Sequence, residues 1–196
     1  MNLRWGIIGP GKIAKKFADA LTRVPGNSLE AVASRDVEKA RAFAKVFGVP
    51  KALGSYEALA KDEDVDAVYV ATPHSYHHDH SILCLSNRKA VLCEKPISVN
   101  LSSAMEMVHA ARQQKVFLME AFWTRFMPVI KSLDELLNDK VIGDIKYIRA
   151  DFGINFEFNP TSRIFDLKLG GGRLLNVGVY RLVLVMHGLG RRNHVI

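Results

Sequence analysis

Short apolar runs of strand length alternate along the chain with segments of helical periodicity, and this alternation constrains the fold more tightly than any other feature. Strands joined through helices run parallel, and a parallel sheet covered on both faces reads as continuous apolar runs. Leu3 to Ile8 is predicted as the first strand, and Lys12 to Leu21 as a helix with Ile13, Phe17, Ala20 and Leu21 on one face. Leu29 to Ser34 follows as a second strand, then Val37 to Phe47 as a helix closed by Gly48. Val65 to Ala71 is a further strand, His77 to Leu85 a helix, Ala90 to Cys93 a strand, Ser102 to Arg112 a helix and Val116 to Glu120 a strand. The expectation is an α/β fold with a Rossmann-type, doubly wound parallel sheet of five strands.

After Trp123 the pattern changes. A helix from Pro128 to Asn138 leads through Ile142-Gly143-Asp144 into Lys146 to Phe152, where polar and apolar residues partly alternate as in a half-solvated strand. The domain boundary is placed near Phe122.

Gly9-Pro-Gly11-Lys-Ile-Ala14 lies where the first strand turns into the first helix, the context a dinucleotide fingerprint requires. Gly9 permits the turn, Gly11 lets backbone approach a pyrophosphate, and Ala14 allows close helix packing. The helix start, with Lys12 and Ile13, offers N–H donors to phosphate. The second strand ends at Ser34-Arg35, where an NAD site usually offers a carboxylate to the ribose. A hydroxyl followed by a guanidinium suits a 2′-phosphate, so NADP is expected in preference to NAD. Asp36 falls one step beyond the ribose position.

Ligands of such sheets bind beyond the carboxyl ends of the strands. Thr72-Pro-His-Ser-Tyr-His77 and Glu94-Lys95-Pro96 occupy those places, which aims Lys95 at the crevice, with Pro96 holding it extended. Removal of a hydroxyl proton during hydride transfer suits a phenol, ordinarily of pKa about 10, made usable by a neighbouring cation such as a lysine. His74, His77, His78 and His80 lack cysteines or a distant histidine pair at ligand spacing, so no metal site is expected and the histidines other than His77 are expected to be solvated.

The net charge of +7 is scattered, with a late cluster at Arg181, Arg191 and Arg192, and without bases interleaved with aromatics; nucleic-acid binding is not expected. No apolar stretch approaches the roughly 18 residues of a membrane span. The two cysteines, Cys84 and Cys93, and the absence of a signal-peptide pattern point to the cytoplasm and to buried thiols.

Taken in order, Gly9-x-Gly11-x-x-Ala14, Ala71-Thr-Pro73 with His77, Cys93-Glu-Lys-Pro96 followed by Asn100, Leu118 to Pro128 and Gly170 to Tyr180 resemble the glucose–fructose oxidoreductase, inositol dehydrogenase and MocA family. Within it the chain is most similar to the dimeric dihydrodiol dehydrogenase and D-xylose dehydrogenase branch. The resemblance implies NADP-dependent hydride transfer between nicotinamide and a secondary alcohol or carbonyl of a sugar or cyclic diol. It implies Lys95 at the reacting oxygen, Tyr180 as proton donor and acceptor, and Glu94, Pro96, Thr72, Pro73 and His77 around the cofactor. Trp123 and Arg125 would meet the cofactor, and Trp123, Phe126 and Asn176 the substrate. Asn176 stands where the family usually has Asp, and an amide cannot balance a lysine's charge; with Tyr180 four residues on, a helix would put both on one face.

The family's second domain is a mostly antiparallel sheet that covers the site and forms a homodimer in full-length members. On that basis residues 1–122 are expected to be a dinucleotide-binding domain and residues 123–196 an incomplete substrate and dimerisation domain of α+β type, so that Phe152, Ile154, Phe156 and Phe158 would lack partners. The rival reading is a non-catalytic dinucleotide-binding remnant, which Asn176 and the missing sheet favour, while Lys95 and Tyr180 favour the enzyme.

Overall fold

A computed structural model describes residues 2–189; the predicted basic end, with Arg191 and Arg192, lies outside the described residues. The chain divides into two compact units, Met1–Ala121 and Phe122–Ile196.

The first unit is built on a parallel sheet of six strands: β1 (Leu3–Ile8), β2 (Asn27–Ala33), β3 (Lys51–Leu53), β4 (Ala67–Val70), β5 (Ala90–Cys93) and β6 (Leu118–Glu120). Their order is β3-β2-β1-β4-β5-β6. The chain winds outward from β1 in one direction and then returns to β4 to wind the other way, which opens a crevice at the carboxyl ends of β1 and β4. Helices α1 (Lys12–Leu21), α2 (Val37–Phe47), α3 (Tyr56–Ala60), α4 (His77–Ser86) and α5 (Leu101–Gln114) make the connections.

Successive strand residues point to opposite faces, so the sheet feeds two cores. Ile7, Val32 and Tyr69 pack with Ala14 and Ala18 of α1 and Ala40, Phe43 and Ala44 of α2. Ile8, Ala31, Ala33, Val68, Val70 and Val91 pack on the other face with Leu59 of α3, Cys84 and Leu85 of α4, and Met107 and Ala111 of α5. Burial on both faces is why β4 and the carboxyl halves of β1 and β2 read as apolar runs.

The sequence misses β3 and α3. Three residues, Lys51-Ala-Leu53, pair with Ala31 to Ala33 only at the sheet edge, too short to show a period. Strand β4 is also shorter than predicted, because Asp66 takes Arg4's backbone and side-chain donors at 3.0 Å and so belongs to the turn before it. Caps fix several helix starts and ends: Asp36 accepts from Glu38 N at α2, Ser55 from Ala58 N at α3, and Asn100 from Ser103 N at α5, while α2 ends at Gly48.

In the second unit, α6 (Pro128–Asn138) begins on its proline, and a π-helical turn, Leu174–Gly178, runs into α7 (Val179–Gly188). The predicted strand Lys146 to Phe152 is not formed, and among the described residues the second unit holds no strand. A strand exists through its ladder, and no second extended segment pairs with this one. The expected antiparallel sheet is therefore not present there. Exposed Ile154, Phe156 and Phe158 remain at 51%, 39% and 74% accessibility, although Phe158 meets Phe165 edge-on.

The segment Leu167–Gly188 has the length and composition of a membrane span, contrary to the sequence expectation, because Lys168, Arg173 and Arg181 interrupt its apolar run without removing it. It consists of a 3-10 turn, the π turn and α7, and core helices of soluble proteins meet the same criterion.

Candidate nucleotide and redox site

The turn after β1 is formed by Gly9 at φ +88°. A Cβ there would sit 3.0 Å from Thr72 Cγ2 and 3.1 Å from the Ala71 carbonyl, so both the backbone conformation and the approach of the β4 loop require glycine. A Cβ on Gly11 would meet nothing within 4 Å. That space lies at the start of α1, which has no side-chain cap and no acidic residue in its first turn, so its N-terminal donors and dipole suit an anion. Lys12 and Ile13 beside it are exposed.

At the end of β2, Ser34 is buried and its hydroxyl accepts from Asp36 N at 3.2 Å. Asp36 itself is committed to the helix: Oδ1 takes Glu38 N at 3.1 Å and Oδ2 lies 3.4 Å from Lys39. Arg35 is exposed, with its guanidinium carbon 5.6 Å from the centre of the Tyr76 ring. Tyr76 stacks on His80 at 5.6 Å, His80 meets Tyr56 edge-on at 4.5 Å, and His80 Nδ1 lies 3.0 Å from Thr72 Oγ1. Burial holds His80 below the ordinary histidine value, against the pull of Asp79, and Arg35 lowers it further.

The histidines divide differently from the sequence expectation. His77 is fully buried, with Nδ1 2.7 Å from the Pro96 carbonyl and Nε2 2.8 Å from the Thr72 carbonyl, so it ties the β4 loop to the β5 loop. His74 is buried as well, its ring 5.6 Å from that of His77, and His80, in α4, is half-buried between Tyr56 and Tyr76; neither is solvated as predicted. His78 meets Asp79 at 2.8 Å and Glu106 at 2.9 Å. No three potential ligands gather for a metal among the described residues.

The Glu94-Lys95-Pro96 loop, with a cis Lys95–Pro96 bond, is held from several sides. Tyr69 donates its hydroxyl to Glu94 Oε1, whose other oxygen accepts Lys95 N at 3.1 Å. Glu120, from the end of β6, accepts Ile97 N at 2.9 Å. Burial, then the Glu94 charge, push the Tyr69 phenol well above its ordinary value, so it remains a donor. Tyr69 in turn stacks on Phe17 with ring centres 4.0 Å apart. Sequence reasoning missed Tyr69, Glu120 and Tyr76. The signal for Tyr69 was a phenol in the otherwise aliphatic strand β4; Glu120 and Tyr76 had none until their partners were known. Cys84 and Cys93 are buried, and burial pushes both thiols up to about 12, which makes them packing residues.

Within the second unit, Trp123, Arg125 and Phe126 form an exposed 3-10 turn. Tyr180 is half-buried between Phe122 at 5.3 Å and Phe152 at 5.4 Å. Asn176 is buried, its amide nitrogen donating to Gly172 O at 2.8 Å and its oxygen accepting from Arg163 at 3.3 Å. It lies in the π turn and Tyr180 in α7, so the chain between them is wider than the α-helical spacing assumed from sequence. Asn176 lines a concavity of about 410 Å³ with Phe152, Phe156 and Val177. A larger one, about 740 Å³ beside Asp134 and His187, holds no predicted site residue.

A family model described as "Oxidoreductase family, NAD-binding Rossmann fold" matches residues 3–122. The trans-1,2-dihydrobenzene-1,2-diol dehydrogenases of Xenopus tropicalis and Mus musculus are each 47% identical over 182 residues, covering 92% of this chain and 54% of theirs. The chain therefore spans about half the length of the curated relatives it matches. A 3-ketoreductase from Actinomadura kijaniata, solved in complex with NADP and TDP-benzene, superposes with a TM-score of 0.90 at 33% identity, over 97% of this chain and 58% of that one. An NAD binding oxidoreductase from Klebsiella pneumoniae gives 0.69 at 32% identity, over 74% and 40%.

Proposed function

The chain belongs to the oxidoreductase family with an NAD-binding Rossmann fold, and on that premise we propose that it binds NADP and serves hydride transfer between nicotinamide and a secondary alcohol or carbonyl of a cyclic diol or sugar. The observation that carries the cofactor choice is the end of β2. Ser34 and Arg35 stand where a ribose carboxylate would be, and Asp36 is spent on capping α2. A guanidinium there favours a 2′-phosphate, whereas a carboxylate would repel one. The substrate class follows from the relatives, which are named as diol dehydrogenases and a 3-ketoreductase.

The residues fit such a cofactor. The open space at Gly11 and the uncapped start of α1 accept a pyrophosphate. Gly9, Gly11, Lys12 and Ile13 would hold it, Ser34 and Arg35 the 2′-phosphate, and Thr72, Pro73, Glu94 and Pro96 the nicotinamide side. Bound nicotinamide supplies the hydride acceptor or donor. Lys95, on a loop fixed by Tyr69, His77 and Glu120, holds the reacting oxygen and stabilises negative charge on it. Tyr180 carries the proton, Trp123 and Arg125 meet the cofactor, and Trp123, Phe126 and Asn176 meet the substrate. His77 acts from behind, keeping the Thr72 and Pro96 loops in register. In this reading residues 1–122 are the dinucleotide domain, and residues 123–196 belong to a domain for substrate and for dimerisation.

The test is turnover of the chain with NADP and a panel of trans-dihydrodiols and aldoses, run beside nucleotide binding. NADP-dependent oxidation of any of them, lost on Lys95→Ala, supports the proposal. Tight NADPH binding without turnover favours a second reading, a non-catalytic nucleotide-binding module. Asn176 favours that reading, since it is uncharged and its amide is engaged at both ends inside its own unit. Absence of nucleotide binding contradicts both.

A further inference from the structure

Arg35 is not left to find a ligand on its own. Four side chains, two from the β4–α4 connection and one each from α4 and α3, stand in a column behind it: Tyr76 under the guanidinium, His80 under Tyr76, Tyr56 against the edge of His80, and Thr72 bonded to the imidazole. Tyr76 and His80 lie 17° from parallel. Strand order adds a second observation. Arg35 follows β2 and Tyr76 follows β4, and these two strands flank β1, so the contact joins the loops on either side of the Gly9–Gly11 turn.

A free arginine at a loop end samples many rotamers, and ordering it on a ligand costs affinity. A ring face within about 6 Å removes part of that cost beforehand and leaves the guanidinium's N–H edge, with its forked donors, for an anion. Burial, and then Arg35 itself, lower the His80 pKa, which disfavours a second cation in the column.

We propose that Tyr76, backed by His80, is a positioning residue that sets the preference for a 2′-phosphate by holding Arg35 ready for it. This rests on the assignment of Arg35 to that phosphate and deepens it. The effect is specific: NADPH and NADH share the adenine and the pyrophosphate and differ in the 2′-phosphate alone, so a ring acting through Arg35 changes one affinity and not the other.

The experiment is fluorescence titration of the full 196-residue chain and its variants with NADPH and NADH. Tyr76→Leu is expected to weaken NADPH about tenfold and NADH by less than about twofold, while Tyr76→Phe, which keeps the ring, stays near wild type for both. Equal losses for the two nucleotides would assign the ring to adenine or to the fold and overturn the proposal, as would an unchanged NADPH affinity. Circular dichroism melting checks the fold. If Y76L melts early, His80→Leu removes the support under the ring instead, and must weaken NADPH selectively. A wild-type chain that binds neither nucleotide sinks the functional reading along with this one; a wild-type preference for NADPH with Y76L and His80→Leu unaffected sinks the column's role alone.

Discussion

The two ends of the parallel sheet treat charge in opposite ways. At the amino end, charges are consumed within the protein: Arg4 reaches Asp64 and Asp66, Lys51 reaches Asp62 and Asp64, and Lys89 donates to the carbonyls of Asp62 and Val65 at 2.7 Å. These contacts lace together the starts of β1, β3, β4 and β5. At the carboxyl end, side chains spend their bonds on shaping loops: Tyr69, His77 and Glu120 pin the Lys95 loop, and the Tyr76 column carries Arg35. One end closes the fold and the other holds groups in place for something else. Mutations at the amino end should therefore alter stability without altering nucleotide affinity, and mutations at the carboxyl end should alter ligand binding or turnover, with stability lost as well only where the backbone or a buried hydrogen bond is touched.

That exception gives the largest expected effect. Gly9→Val places a branched side chain at φ +88° against Thr72 and the Ala71 carbonyl; urea unfolding should show a loss of about 2 kcal/mol or more, and nucleotide binding should vanish. Next, Arg35→Gln should weaken NADPH about ten- to a hundredfold in titration while leaving NADH and the urea midpoint near wild type, since a charge-assisted contact is lost only with the phosphate present. Tyr69→Phe strips the Glu94 carboxylate of a buried donor; about 1 to 3 kcal/mol of stability should go, and turnover should fall further than nucleotide affinity because Lys95's loop loses an anchor. An unchanged urea midpoint would contradict this.

The smallest effect belongs to the amino end. The Arg4 hydrogen bond holds Asp66 below its ordinary value, against a burial contribution of the opposite sign. A depressed carboxyl pKa means that the unfolded chain binds the extra proton first, so the contribution is complete above the unfolded value of about 4 and is lost as pH falls through the folded one. Asp66→Asn should lower the melting temperature modestly at pH 7, flatten the acid limb of the stability profile and leave NADPH affinity untouched; a changed affinity would break the contrast between the two ends.

The longer helices of the first unit, α1, α2, α4 and α5, were legible because each runs over ten or more residues, and α2 was marked at both ends by Asp36 and Gly48. The carboxyl half of β1 and the whole of β5 were legible because the packed sheet leaves no charged residue there. What escaped was short or relational. Strand β3 has three residues and draws its identity from β2 alone. The Lys146 to Phe152 alternation suggested a strand, but alternation describes a face, and a strand also needs a neighbour. At the site, Gly9, Gly11, Arg35 and Lys95 could be picked out because position after a strand implies the crevice. Tyr69, Tyr76 and Glu120 act on partners 23 to 41 residues away, and no local pattern encodes such a meeting.

The most direct test of the carboxyl end as an NADP site is a side-by-side titration of the purified chain with NADPH and NADH at fixed ionic strength, with Arg35→Gln as the paired variant. We expect saturable binding of both, NADPH tighter by about tenfold or more, and a preference that collapses in the variant. Equal affinities, or an NADPH preference that survives the loss of Arg35, would contradict the assignment.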